Sequence, residues 1–186
     1  MGRDGGMEML DLRALWLVGL AMGIAPATAF ELGELVPQKD GAVACWSRLY
    51  DAAHLKAHPD QQVGAMGFSI SYAAETAEFA EQYSFLIEAR MRNGDVGYNT
   101  GPCSENEGKI SCGVECDGGY VMVQPASDDG SMLLDLETSG YIWLSGGCGV
   151  DDPDGDGGFA LESGKDDKQF LLRPMPAGTC EEPLLD

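Results

Sequence analysis

The chain has 186 residues, with 31 Asp and Glu against 11 Lys and Arg, a net charge of -20 and a sequence pI near 4.1. That charge repels nucleic acid and anionic lipid, which excludes both as partners and directs attention to basic proteins and cations. A hydrophobic content of 44% separates the chain from disordered acidic tails and suffices for one packed domain.

Residues 1–29 read as a signal peptide. Arg13 precedes an apolar run from Ala14 to Ile24, and Ala27-Thr28-Ala29 puts small residues where a signal peptidase cuts. Cleavage after Ala29 leaves residues 30–186 as a single secreted β-rich domain, periplasmic or extracellular. The apolar run falls short of the roughly 20 residues a bilayer span needs, and no cysteine follows it closely enough to carry lipid, so no membrane anchor is expected after cleavage. Removing Arg3, Asp4, Glu8, Asp11 and Arg13 with this segment changes the net charge only to -19. The acidity therefore belongs to the mature domain.

Residues 30–44 lack periodicity and are expected to form a lead-in. Asp51 as N-cap and Pro59 as terminator predict one short helix near residues 51–58. From Val63 the period changes to two: Met66, Phe68, Ile70 and Tyr72 alternate with small residues, which predicts a half-buried strand. Ala73 to Gln82 carries strong helix formers but stands between strands, and reads as either a helix or a long acidic connection. Tyr83, Phe85, Ile87, Ala89 and Met91 predict a second strand, ended by Asn93-Gly94. Short strands are then expected at Lys109–Cys116, Tyr120–Gln124, Met132–Glu137 and Tyr141–Ser145, separated by glycine turn signals, with a last one at Lys168–Arg173 closed by prolines. The fold class this implies is mainly β, an antiparallel sandwich or small barrel stapled by disulfides.

The six cysteines, Cys45, Cys103, Cys112, Cys116, Cys148 and Cys180, all follow the signal segment. An even count in an exported chain predicts three disulfides. If Lys109–Cys116 is extended, Cys112 and Cys116 share a face but stand about 13 Å apart at roughly 3.4 Å per residue. A disulfide needs its Cα atoms within about 7 Å, so these two do not pair with each other. Pairing Cys45 with Cys180 joins the two ends of the domain and leaves Cys148 to one of the central three.

One stretch carries metal-ligand chemistry. Asp152, Asp154 and Asp156, followed by Gly157, resemble the opening of EF-hand calcium loops, in which alternate carboxylates converge on one ion and a glycine permits the sharp turn. The resemblance implies calcium as the cofactor; Asp151 and Glu162, the latter one residue short of the loop's twelfth position, are additional candidate oxygen donors outside the matched pattern. Position twelve counted from Asp152 is Ser163, however, and no helices are expected on either side, so an EF-hand proper is not implied. A solvated acidic turn is the alternative.

Other constellations are weaker. His54 and His58 share the i, i+4 spacing of zinc ligands but lack a metalloprotease glutamate, which favours a surface or packing role. Ser145 lacks the leading glycine of a nucleophile elbow. Trp46, Tyr141 and Trp143 either line a carbohydrate or peptide groove or belong to the core. No catalytic residue stands out among so many acids. Three functions are expected in order: an exported disulfide-bonded binding or structural module with a calcium loop; a periplasmic inhibitor of a basic secreted enzyme such as a lysozyme; and a carboxylate-dependent hydrolase.

Overall fold

A computed structural model of the chain describes residues 1–2, 30–144, 158–165, 168–176, 178–180 and 184–185. Strands β1 (Val43–Leu49), β2 (Val63–Ala73), β3 (Gln82–Met91), β4 (Val96–Asn106), β5 (Lys109–Gly113), β6 (Tyr120–Pro125) and β7 (Met132–Asp135) run up and down in chain order. β10 (Gln169–Pro174) pairs with both β7 and β1 and closes them into an antiparallel barrel. Between β7 and β10 the chain inserts a separate hairpin, β8 (Tyr141–Leu144) and β9 (Phe159–Glu162). No helix among the described residues is long and apolar enough to cross a membrane.

The two-residue period decides what goes inside. Met66, Phe68, Ile70 and Tyr72 of β2 stand opposite Ala89, Ile87, Phe85 and Tyr83 of β3, so the apolar members of both strands share the inner face. Trp46, Ile110, Val123, Leu134 and Phe170 join them in one buried cluster. Eight strands enclose a space just wide enough for side chains to fill, and here large apolar side chains fill it. Each contributes about 1.5–3 kcal/mol by leaving water.

Both mouths are covered. At one, α1 (Leu32–Leu35) presents Leu32 and, one turn on, Val36, which is completely buried. The Tyr83 hydroxyl donates to the Val36 carbonyl at 3.0 Å, and a Glu105 carboxylate oxygen accepts from the Leu32 amide at 3.0 Å. Near the other mouth lies α2 (Ala52–Ala57), N-capped by Asp51, whose side chain accepts from the His54 amide at 2.7 Å. The short helix expected near residues 51–58 is this one.

Several expectations are corrected. The lead-in at 30–44 contains the plug helix and the start of β1, because Leu32 and Val36 are spaced to bury on one face. Of the two readings of residues 73–82, the acidic connection holds: residues 74–81 form a loop, since their acids have no apolar stripe to bury. β4 and β9 were not expected, and β5 stops at Gly113 instead of running to Cys116. A turn follows it: Val114 N–H donates to Gly119 O at 2.9 Å, and Cys116 and Asp117 both have φ of 60°. Cys112 and Cys116 thus lie on different elements. β2 is buried on both faces over most of its length, not on one.

Candidate functional site

The β8–β9 hairpin lies across the second mouth. Its alternation seals one face and exposes the other: Ile142, Leu144 and Leu161 are fully buried, whereas Tyr141 and Trp143 are 38% and 40% exposed. In register, Tyr141 stands opposite Glu162 and Trp143 opposite Ala160. Two aromatic rings and a carboxylate therefore share the outward face.

The barrel wall is shaped to receive this hairpin. At Gly97 of β4 a Cβ would come within 2.8 Å of the Leu144 carbonyl oxygen, and at Gly119, where φ is +77°, it would collide with the Tyr141 carbonyl. Only glycine lets the two backbones approach so closely. The buried Asn99 then donates from Nδ2 to the Trp143 carbonyl at 3.0 Å, and the Trp143 amide donates to Gly118 O at 2.8 Å. Tyr141 is held at both ends: its hydroxyl donates to Asp117 O at 2.6 Å, and just before it the Gly140 amide donates to Leu136 O at 2.8 Å. The aromatic pair is thereby presented on fixed backbone, at little entropic cost to a binding event.

Of the acids proposed as calcium donors, Glu162 is described. Its carboxylate is 2.7 Å from Lys165 Nζ, a surface pair worth about 0–1 kcal/mol that a cation can displace. Asp151, Asp152, Asp154 and Asp156, like Ser145, Cys148 and residues 3–29, which include most of the expected signal peptide, lie outside the described residues. The strands on either side of the acidic stretch meet at the Leu144–Phe159 pair.

His54 and His58 do come together, with ring centroids 4.4 Å apart in a stack. His54 is engaged on both sides: Nε2 lies 3.0 Å from Gln61 Oε1, and the Tyr50 ring is 4.9 Å away. The described residues hold no group of three metal-ligating side chains. Trp46 is not a groove residue; it is 4% exposed, and its Nε1–H donates to Gly130 O at 2.8 Å.

The cysteines act as staples. Cys45–Cys180 forms as expected, with Cα atoms 5.6 Å apart, and Cys103–Cys112 joins β4 to β5. Cys116 is also disulfide-bonded, and no described cysteine is free. Such bonds fit an oxidising, extracellular or periplasmic compartment.

Sequence reasoning missed the wall residues Gly97, Asn99 and Gly119. A signal was present in Gly97, Asn99 and Gly101, small or amide residues recurring every second position between Val96, Tyr98 and Thr100. That pattern marks a strand face against which another backbone packs. Comparisons with protein-family models, with curated proteins and with solved structures find no match to this chain.

Proposed function

We propose that this chain is an exported, disulfide-stapled binding module that docks on a basic protein through the hairpin-capped end of its barrel. The observation that carries the reading is the exposed pair Tyr141 and Trp143 on rigid backbone, with Glu162 on the same face. Aromatic anchors of this kind dominate protein interfaces, and the net charge of -20 steers a cationic partner toward them. The barrel interior is filled, which favours an external surface over an enclosed ligand site. One groove of about 250 Å³ lies beside Phe30, Met122 and Asp135, and one of about 480 Å³ beside Pro37, Gln38 and Tyr83. Inhibition of a basic secreted enzyme such as a lysozyme is the specific form of this function. Calcium on Asp152, Asp154 and Asp156 is the companion proposal; it fixes the acidic stretch between β8 and β9.

The test is binding to a cationic lysozyme by calorimetry. Binding that weakens at least tenfold between about 20 and 200 mM salt, and again in Trp143→Ala, is expected. No binding at the lower salt concentration refutes the inhibitor form, and equal binding by Trp143→Ala refutes the surface.

A further inference from the structure

The outer face of β2 ought to meet water, yet Ala65 is 2% exposed, Ser69 is 9%, and Glu88 beside them on β3 is 5%. What covers this face is the end of the chain. Cys180 is bonded to Cys45, which stands opposite Ser69 in the β1–β2 register. Leu184 then seats over Gly67, where a Cβ would stand 2.6 Å from the leucine Cβ. Gly67 is the register partner of Glu88, and Glu88 Oε2 accepts from the Leu184 amide at 2.8 Å. Two residues along β3, the Arg90 guanidinium donates to the Leu185 carbonyl. A notch, an acceptor and a donor are thus aligned to hold one apolar dipeptide.

The position of this seat has a mechanical meaning. β1 pairs with β2 over seven residues, from Val43 opposite Ser71 to Leu49 opposite Ala65. Its pairing with β10 covers only Trp46 opposite Pro174 and Ser47 opposite Arg173, with one further bond from the Met175 amide to Cys45 O at 2.9 Å. The barrel closes through its shortest ladder. The chain leaving β10 is tied to β1 at Cys45 and ends on β2 and β3, so its anchors span that seam.

We propose that the C-terminal tail is a redox-releasable clasp across the closing seam of the barrel. The releasing agent is a dithiol reductant. One of its thiolates attacks a sulfur of the Cys45–Cys180 bond, and its second thiol closes the reductant's own disulfide. Two electrons pass, and Cys45 and Cys180 each leave as a protonated thiol. Partly exposed Cys180 makes this bond more accessible than Cys103–Cys112, whose residues are 8% and 0% exposed. Once freed, the tail is held, among the described residues, by the Leu184–Leu185 seat, at an effective concentration on the order of millimolar, so an open population becomes measurable.

Amide hydrogen exchange on the full chain tests this, comparing the oxidised protein, the protein after mild dithiothreitol treatment, and the Cys45→Ser/Cys180→Ser variant. The Leu184 and Met175 amides are expected to lose protection at least about tenfold while those of β6 keep theirs. Unchanged protection at Leu184, or a uniform loss that includes β6, overturns the clasp. Gly67→Ala, which keeps both cysteines, provides a second reading if the double variant does not fold. Its Cys45 and Cys180 should be alkylated several-fold faster under mild reduction than in the parent, and equal rates overturn the proposed seat.

Discussion

Cys103 stands directly opposite Cys112 in the β4–β5 ladder, with their Cα atoms 4.1 Å apart and a separation of 9 in sequence. This bond closes a loop that the hairpin already closes, whereas Cys45 and Cys180 are separated by 135 residues. In the chain-entropy model the short loop is worth about 3 kcal/mol and the long one about 5 kcal/mol. Denaturant unfolding of Cys45→Ala/Cys180→Ala should therefore show a larger loss than that of Cys103→Ala/Cys112→Ala. Peptide mapping is expected to link Cys116 to Cys148, the one cysteine of the sequence left over after these pairs.

The two faces of β8 predict opposite mutational behaviour. Ile142→Ala empties a fully buried position and should destabilise by about 2–5 kcal/mol. Trp143→Ala removes an exposed ring and should stay within about 0.5 kcal/mol of the parent while weakening partner binding. A Trp143→Ala variant that melts like Ile142→Ala would mean that the ring serves the fold.

The barrel was legible where alternation was clean. Met66 to Tyr72 and Tyr83 to Met91 declared β2 and β3, and turn glycines set apart β5, β6 and β7. β4 was hidden because Gly97, Gly101 and Pro102 look like breakers in isolation. In the fold, Gly101 takes its place because the backbone of Gly113 lies where a side chain would be. Burial of β2 on both faces was not readable either, since Ala65, Gly67 and Ser69 match a solvent face until Leu184, more than a hundred residues on, covers them. At the candidate site, Tyr141 and Trp143 were visible as aromatics, but their exposure depends on Asn99 and Gly119, which are distant in sequence.

Tyr72 links the fold to pH. Its hydroxyl donates to Glu81 Oε2 at 2.5 Å, and this bond to a carboxylate, aided by burial and the nearby negative charge, pushes its pKa from 10.0 to about 12. The folded state then holds a proton that the unfolded chain has released, so this contribution to stability is complete below about pH 10 and is lost as pH rises toward 12. Tyr72→Phe removes the proton and should flatten that limb of the stability curve, as measured by denaturant midpoints at successive pH values. An unchanged alkaline limb would show that Tyr72 does not set it.

Calcium provides the last test, because repulsion among Asp151, Asp152, Asp154 and Asp156 is relieved by a bound cation. A ligand present at about ten times its dissociation constant stabilises the folded state by about 1.4 kcal/mol. For a domain of this size that amounts to a rise in Tm of about 3–6 °C. Calorimetric scans with millimolar calcium should show the rise in the parent protein and lose most of it in Asp154→Ala, which removes the central ligand of the Asp-x-Asp-x-Asp run. Glu162→Gln should reduce the shift less, because that residue already shares its carboxylate with Lys165. A parent protein that melts at the same temperature with and without calcium identifies the stretch as a solvated acidic turn. A shift of equal size in Asp154→Ala places the cation elsewhere on this acidic surface.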